Sequence, residues 1–380
     1  MEFLYLLAGF IIAFIILKLL PKKNNSKLSP MINNDEDESK YITWTKALNL
    51  IQDQILILNK NKIVIFANTT AKNQFGSKIV SNHYASIIRD SNFVEAINNI
   101  FQNKKNSSVN SEINFPTYQF FKANLYYIEE NLFDENFTIM VVLQDLTDLL
   151  KIEKLKSDFV ANVSHELRTP LQSIKLGLET ITEGPAKDDD KAKEKFFNIM
   201  KNETNRMDQL ITDLLTLSKI EQEEHKRPSD KINIKDIINI VISNLETVSK
   251  KKNIKILNHI SEDMIVLGNQ NKLIEIFYNI IENAIKYSDK NKEIAVSAEI
   301  KNDFIETKVI DQGYGIPKTS LSRVTERFFR VDPEKSKKIG GTGLGLAIVK
   351  HLINQHRGEL NIKSEINKGS EFQVKLPVAN

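Results

Sequence analysis

The chain has 380 residues but contains no cysteine, one tryptophan and only six histidines. The absence of cysteine excludes disulfides, thiolate zinc sites and cysteine nucleophiles. The small number of histidines leaves little material for a histidine-rich metal centre. Any covalent catalysis must therefore use a nucleophile other than cysteine.

A strong excess of charge is also absent, since the formal net charge is only +3. Nucleic-acid-binding proteins concentrate basic charge, so we expect no direct binding to DNA or RNA. Hydrophobic residues make up 41% and charged residues 27% of the chain, which is ordinary for globular proteins. At roughly 100 to 200 residues per domain, the length predicts two to four domains.

Long apolar runs are confined to the N-terminus, where Phe3–Leu20 has the sequence FLYLLAGFIIAFIILKLL. A run of this length predicts one transmembrane helix, and the features of a cleavable signal peptide are missing. Pro21, Lys22 and Lys23 follow directly, and the positive-inside tendency places the rest of the chain in the cytoplasm. We therefore expect a single-pass protein of the inner membrane with no extracellular domain. The anchor covers residues 1–23 and a polar linker covers residues 24–47.

Residues 48–148 contain short β-rich segments, including ILILNKNKIVIFAN with a turn at Asn59–Asn61, and later FTIMVVLQDLT. A hairpin, a helical NTTAKNQFG segment, further strands and a closing LQDLT that leads into a helix resemble a PAS domain. The resemblance implies a mixed α/β sensory domain. Nothing in this stretch marks a haem or flavin site.

Residues 149–224 predict two long amphipathic helices joined by a turn near Glu183–Asp190, because apolar residues recur at steps of three and four. The first apolar stripe consists of Leu155, Phe159, Val163, Leu167, Leu171, Ile174, Leu178 and Ile181, and the second of Met200, Met207, Leu210, Leu214 and Leu217. A hairpin of this kind buries its stripe best as a dimeric four-helix bundle. Periodicity alone leaves a plain structural coiled coil open.

The first of these helices carries the segment FVANVSHELRTPL, in which His165 is followed by Glu166. If Glu166 accepts a hydrogen bond from one ring nitrogen, the other nitrogen is left as a nucleophile. Thr169 lies one turn further on the same face, where it can orient a water molecule. Pro170 inside a helix removes a hydrogen bond and bends the axis. The block SHELRTP resembles the phosphoacceptor box of sensor histidine kinases.

A histidine nucleophile needs a phosphoryl donor, and residues 231–380 contain a candidate nucleotide site in four segments. In the first, NKLIEIFYNIIENAIKYS, three residues share one helical face and offer oxygen ligands for Mg²⁺. These are Glu275, Asn279 and Asn283. Lys286 and Tyr287 at the end of this helix can reach phosphate and ribose.

The second segment, DQGYGIP, follows the strand-like FIETKVI, and there Asp311 can accept a hydrogen bond from an exocyclic amine. Gly313 and Gly315 allow the backbone to approach a purine. The third segment, TERFFRVD, predicts an aromatic and basic hinge, with the end of a surface helix as the alternative.

The fourth segment, GGTGLGLAIVK, is a glycine-rich loop that opens a helix, where free N–H groups favour phosphate. The residues that we expect to bind phosphate are Gly341, Thr342, Gly343, Leu344 and Gly345. The loop lacks the Lys-Ser/Thr of a P-loop. Together the four segments resemble the ATP-binding domain shared by histidine kinases, gyrase-like ATPases and related chaperones, and SHELRTP distinguishes the first class.

The resemblance implies a multidomain α+β protein: a transmembrane helix, a PAS-like α/β domain, a dimeric helical hairpin and a C-terminal α/β sandwich. It implies a membrane-bound homodimer that uses ATP and Mg²⁺ to phosphorylate His165 and then transfers the phosphoryl group to an aspartate of a cognate response regulator. Glu166 would act as general base or orienting residue, and Thr169 predicts phosphatase activity toward the regulator.

The combination of motifs is most similar to the phosphate-regulon sensor kinases of alphaproteobacteria. That similarity implies control of the phosphate-starvation response, with input from a phosphate transporter and its regulatory protein. Two alternatives stay open: a PAS-containing histidine kinase that answers another stimulus, and a non-catalytic dimeric scaffold.

Overall fold

The structure is a computed structural model that describes residues 43, 45–113, 118–128, 137–223 and 225–379. The predicted membrane segment, Phe3–Leu20, lies outside these residues, as does most of the linker. Within the described ranges, no helix is both long and apolar enough to cross a bilayer. The chain divides into two compact units, Met1–Glu153 and Lys154–Asn380.

The first unit is built on one antiparallel sheet with the strand order β2-β1-β5-β4-β3. Its strands are β1 (Gln54–Asn59), β2 (Val64–Ala67), β3 (Ser107–Ile113), β4 (Gln119–Tyr127) and β5 (Phe137–Asp145). Its named helices are α1 (Thr69–Phe75) and α2 (Ser91–Asn103), with short 3₁₀ turns at Ser77–Ile79 and Tyr84–Ser86. The antiparallel β1–β2 pair confirms the predicted hairpin, and β5 ends just before a long helix, as LQDLT predicted.

Both faces of this sheet are covered, which is why all six residues of β1 are buried rather than every second one. One face packs against the helices through a core that includes Phe93 and Phe121. The other face carries a smaller cluster that contains Ile57, Phe66 and Leu48, the last from the helical turn before β1.

A helical hairpin follows, formed by α3 (Thr147–Thr182) and α4 (Asp190–Gln222). Its two helices and connecting turn confirm the helical prediction, and Asp189 caps α4 by accepting from the backbone N–H groups of Lys191 and Ala192. Pro170 lies inside α3 and is buried. Gly177 is packed against Met200, where an added Cβ would meet the Met200 side chain at 3.0 Å. The predicted domain boundaries at residues 149, 224 and 231 stay predictions.

The rest of the second unit is an α/β sandwich. Its strands are β6 (Asp230–Asn233), β7 (Lys255–Asn258), β8 (Ile265–Gly268), β9 (Glu293–Lys301), β10 (Phe304–Ile310), β11 (Glu359–Glu365) and β12 (Gly369–Pro377). Its helices are α5 (Ile234–Lys252), α6 (Gln270–Tyr287), α7 (Pro333–Ile339) and α8 (Gly345–Gln355), with a 3₁₀ turn at Lys318–Ser320. The main sheet has the order β11-β12-β10-β9-β7, and only the β7–β9 pair is parallel. FIETKVI is β10, as predicted.

Helices α5, α6 and α8 bury their apolar faces in one large core with the sheet. The core also contains Leu210, Leu217 and Ile220 from α4, while Phe159 and Leu167 from α3 pack at its edge. The hairpin and the sandwich therefore share a continuous apolar contact in this structure. That contact places the histidine box and the nucleotide segments in one compact unit.

Candidate active site

Helix α6 presents its polar face to a cavity of about 460 Å³. Glu275, Asn279 and Asn283 all line this cavity, as their four-residue spacing predicted. The opposite face of α6, with Ile276, Phe277 and Ile280 among its buried residues, packs into the core and fixes the helix orientation. Helix amphipathicity thus decides which residues face the cavity.

The donor set on α6 fits a magnesium ion that is also held by nucleotide phosphates, because Mg²⁺ is usually bound by one or two carboxylates and phosphate oxygens. The Asn279 amide donates from Nδ2 to the Glu275 carbonyl at 2.9 Å, so its Oδ1 is the atom left for a ligand. Gly345 lies against this oxygen, and an added Cβ there would stand 2.6 Å from it. No group of three His, Cys, Asp or Glu residues suited to a metal occurs among the described residues.

Lys286 and Tyr287 also line the cavity, at the end of α6. Lys286 forms an ion pair with Glu282 at 2.8 Å, and the Tyr287 hydroxyl lies 3.3 Å from the Ser336 hydroxyl. The last turn of α6 is held by the Lys252 ammonium, which donates to the carbonyls of Ile285, Lys286 and Ser288 at 2.9, 2.8 and 3.0 Å. Desolvation lowers the pKa of Lys252 below its ordinary value.

Asp311 lies at the end of β10 and is buried, with one carboxylate oxygen already occupied. Its Oδ1 accepts from the backbone N–H groups of Gly313 at 2.8 Å and Ser370 at 3.1 Å. Burial raises the pKa of this carboxyl, and the two backbone hydrogen bonds oppose the rise. Since Asp311 lines the cavity, Oδ2 is the oxygen available to a ligand.

The glycines of DQGYGIP lie at close backbone contacts, and their predicted approach to a purine stays a prediction. Gly315 has φ +71°, and an added Cβ would stand 2.1 Å from the Glu365 carbonyl oxygen. At Gly313 a Cβ would stand 2.5 Å from the Tyr287 carbonyl oxygen. Both glycines are therefore required by close contacts within the protein backbone, whatever ligand the cavity holds.

The lid of the cavity, defined here as residues 325–344, contains TERFFRVD, α7 and the glycine-rich loop. TERFFRVD is not the end of a helix: it consists of turns and isolated bends, and Phe328 has φ +63°. The Phe328 N–H donates to the Gly343 carbonyl at 2.8 Å. Gly343 has φ +77° and packs against the Phe328 backbone, where a Cβ would stand at 3.0 Å. The two halves of the lid are thus joined by backbone contacts.

The glycine-rich loop leads into α8, as predicted, and Gly341, Thr342, Gly343 and Gly345 line the cavity. Leu344 is fully buried and occupies the N-cap position, where its side chain makes no capping hydrogen bond. The first-turn N–H groups of α8 therefore have no side-chain cap, which suits an anionic ligand.

His165 lies on the exposed surface of α3 and its ring makes no hydrogen bond within the described residues. The prediction that Glu166 binds this ring differs from the geometry. The Glu166 carboxylate accepts from Arg206 at 3.2 Å and from both terminal nitrogens of Arg330 at 3.2 and 2.9 Å. The Thr169 hydroxyl donates to the His165 carbonyl at 3.3 Å, so Thr169 is placed one helical turn from the histidine.

Three polar residues at this site had no distinct signal in the sequence. Arg330 is part of TERFFRVD, but its partner could not be inferred there. Arg206 and Asp213 look like ordinary polar positions of an amphipathic helix. The Asp213 carboxylate accepts from the Thr342 hydroxyl at 2.7 Å and from the Gln209 amide at 2.7 Å.

The carboxyl groups around the cavity favour a cationic or proton-donating partner. Burial raises the pKa of Asp213, whereas hydrogen bonds from Thr342 and Gln209 lower it. Burial also raises the pKa of Glu275, and the nearby Asp213 charge raises it further.

Comparison with protein families identifies the two halves of this site separately. Residues 155–223 match the His Kinase A (phospho-acceptor) domain. Residues 268–380 match the family described as histidine kinase-, DNA gyrase B-, and HSP90-like ATPase.

Among curated proteins, the sensor histidine kinase WalK of Bacillus subtilis is 35% identical over 242 residues, which cover 63% of this chain and 39% of WalK. The sensor-like histidine kinase SenX3 of Mycolicibacterium smegmatis is 34% identical over 244 residues, covering 64% of this chain and 63% of SenX3. The chain thus spans less than two thirds of the length of either relative.

Among solved structures, the comparison found the histidine kinase AdeS of Acinetobacter baumannii, at 24% identity and a TM-score of 0.45, covering 57% of this chain and 98% of that one. Another is the histidine kinase ThkA in complex with the response regulator protein TrrA, at 20% identity and a TM-score of 0.48. That match covers 87% of this chain and 96% of the other.

Proposed function

We propose that the protein is an ATP-dependent sensor histidine kinase, because residues 155–223 match the His Kinase A phospho-acceptor domain and residues 268–380 match the histidine kinase-, DNA gyrase B-, and HSP90-like ATPase family. The observation that carries the proposal is the presence, in one compact unit, of an exposed histidine on a helical hairpin and a cavity lined by Asn279, Asn283 and Asp311. Neither feature alone would make an autokinase. Together they supply a nucleophile and a site for its phosphoryl donor.

In the proposed reaction, Asp311 Oδ2 accepts from the adenine amine, and the uncapped start of α8 and Lys286 bind phosphate oxygens. Glu275, Asn279 and Asn283 would hold Mg²⁺, which supplies positive charge to the phosphates. A ring nitrogen of His165 attacks the γ-phosphorus, the bond to the ADP oxygen breaks, and Glu166 orients the ring or takes its proton. The resulting phosphohistidine is then a donor to an aspartate of a response regulator.

The hairpin also supports the proposal of a homodimer. Leu155, Leu171 and Leu178 of the predicted apolar stripe are 66%, 57% and 52% exposed in the single chain. A second hairpin would cover this surface and complete a four-helix bundle. Thr169, one turn from His165, is proposed to orient the water that dephosphorylates the regulator.

We also propose that the first unit is a PAS-like sensory domain, supported by its β1–β2 hairpin and its last strand leading into α3. The protein would be a single-pass inner-membrane protein with its catalytic part in the cytoplasm. Resemblance to phosphate-regulon kinases makes a phosphate transporter and its regulatory protein the proposed input and phosphate starvation the proposed stimulus.

The test is phosphoryl transfer from γ-labelled ATP to the full-length protein in nanodiscs, with His165→Gln as the matched variant. We expect acid-labile label in the original protein and none in the variant, while both bind nucleotide. Label in the His165→Gln protein would contradict the phosphoacceptor assignment.

The second step uses the labelled protein with a phosphate-regulon response regulator and a panel of unrelated regulators. Fastest transfer to the phosphate-regulon protein is expected. Preference for another regulator would refute the phosphate assignment and leave the kinase proposal intact. No label at all would favour the scaffold alternative.

A further inference from the structure

Two of the contacts between the lid and carboxylates of the hairpin involve residues that line the nucleotide cavity. Arg330 donates to Glu166 of α3, and the Thr342 hydroxyl donates to Asp213 of α4. Arg330 also donates from Nη2 to the Thr342 carbonyl at 2.9 Å, so the two contacts are linked within the lid. Arg330, Thr342 and Asp213 all line the cavity.

These contacts are partly buried, so solvent and salt screen them less than surface ion pairs. The side chain of Arg330 is 7% exposed and that of Glu166 is 18% exposed. Arg206, at 15% exposure, also donates to Glu166, at the oxygen that accepts from Arg330 Nη2. An arginine fork and a threonine hydroxyl are groups that bind a phosphate as readily as a carboxylate.

The arginine is incompletely satisfied by its present partners. Arg330 Nε is buried and has no hydrogen-bond partner among the residues that the structure describes. A buried donor without a partner is unfavourable. A phosphate group, with three terminal oxygens, can reach donors that a single carboxylate leaves unpaired.

We propose that Glu166 and Asp213 occupy the phosphate-binding groups of the lid, so that the hairpin and the nucleotide phosphates compete for Arg330 and Thr342. The inference rests on the proposed nucleotide function and adds its regulation. In the lid-bound state Glu166 is held by two arginines and is not bonded to His165. Binding of the phosphates to the lid removes the Arg330 contacts and leaves Glu166 held by Arg206 through Oε2, so that Oε1 becomes available to the histidine ring.

Competition of this kind makes a specific prediction for binding constants. The apparent affinity for a nucleotide is the intrinsic affinity multiplied by the fraction of molecules whose lid is not bound to the hairpin. Removal of a hairpin carboxylate should therefore strengthen the binding of a ligand with phosphates and leave the binding of adenosine unchanged. One hydrogen bond to a charged group predicts a change of about tenfold.

The experiment is calorimetric titration of the full-length protein in nanodiscs with Mg²⁺ and either AMPPNP or adenosine. The variants are Asp213→Ala and Glu166→Gln, each of which changes the carboxylate partner of one of the two contacts. The control is Glu221→Gln, because Glu221 lies on α4 and pairs with Arg327 of the lid, yet neither residue lines the cavity. We expect tenfold tighter AMPPNP binding for the two test variants and less than a twofold change for the control.

Unchanged or weaker AMPPNP binding in both test variants would overturn the competition. The competition would also be overturned if the Glu221→Gln control bound AMPPNP as tightly as the test variants, or if the test variants bound adenosine more tightly by the same factor. A general loosening of the contact between the lid and the hairpin would then explain the effect. If the original protein binds neither ligand, the proposed nucleotide function itself fails, and that outcome is distinct from the others.

Discussion

Asp311→Asn should change which base the nucleotide cavity prefers. In the structure Asp311 Oδ1 accepts from the N–H groups of Gly313 and Ser370. An asparagine oxygen can keep both hydrogen bonds, and its amide NH₂ must then take the place of Oδ2. The substitution therefore reverses one hydrogen-bonding group at the cavity and preserves the local backbone.

The magnitude follows from the contact that is lost. A hydrogen bond to a charged group contributes about 1.5–3 kcal/mol, which corresponds to a factor of about 10 to 150 in affinity. The adenine amine would face a second donor in the variant, so ATP binding should weaken by at least this factor. ITP has a carbonyl oxygen in place of the amine, and its binding should strengthen because the new amide can donate to it.

The assay is titration of the full-length original and variant proteins with ATP and ITP in the presence of Mg²⁺. Thermal unfolding serves as the control that the sandwich is intact. A loss of affinity that is equal for ATP and ITP would refute the reasoning, since it would mean that Asp311 acts on the fold and not on the base. An unchanged preference would show that Asp311 does not contact the base at all.

Three further substitutions test the structure around the site. Gly315→Ala combines a left-handed φ with a backbone clash at Glu365, so it should destabilise the sandwich by about 3 kcal/mol or more, whereas Gly340→Ala, at φ +80° and with open space around it, should cost only about 1 kcal/mol. Hydrogen exchange of the β10 and β12 amides measures both variants, and an equal loss of stability in the two would contradict the clash at Gly315. Lys252→Met removes three hydrogen bonds to the end of α6 and should lower the free energy of unfolding by about 2 kcal/mol. In the control Lys250→Met, the lost ion pair between Lys250 and Glu246 is exposed, so the free energy of unfolding should change by less than about 0.5 kcal/mol. Chemical unfolding compares the two variants, and equal effects would contradict the role assigned to Lys252. His356 is buried, its Nε2 accepts from the Asn269 N–H at 3.2 Å, and burial holds its pKa below the ordinary value of 6.5, with the Lys272 charge also lowering it. The unfolded chain therefore binds more protons, so the stability contributed by His356 should be fully present above about pH 6.5 and should decrease as the pH falls below it. His356→Gln should make the free energy of unfolding depend less on pH in this range, and an unchanged pH dependence would refute the assignment.

The helices and strands that carry the site could be predicted from local patterns. The spacing of apolar residues placed α3 and α4 correctly, and FIETKVI was correctly predicted to be a strand. In α6 a four-residue spacing predicted that Glu275, Asn279 and Asn283 share a face, because a regular helix fixes the direction of every side chain. Motif order then linked these elements to a nucleotide and a histidine.

The partners of individual polar groups were not predictable in this way. Sequence suggested that Glu166 binds His165, its neighbour, whereas the structure gives Glu166 to Arg206 and Arg330, which are 40 and 164 residues away along the chain. The glycines of DQGYGIP were assigned to a ligand, and their close contacts with the Tyr287 and Glu365 carbonyl oxygens could not be inferred from the sequence. TERFFRVD had an equally plausible helical interpretation, which the turns of the lid exclude.

The sequence by itself determined the identity of the reactive groups and the local elements that carry them, since both depend on short-range spacing and on helix and strand geometry. Only the tertiary structure decided which groups meet: the packing of Leu210, Leu217 and Ile220 into the sandwich core brings α4 against the lid and sets Asp213 beside Thr342. The physical reason is that apolar burial is not directional, so a helical stripe specifies a buried face but not the surface that covers it.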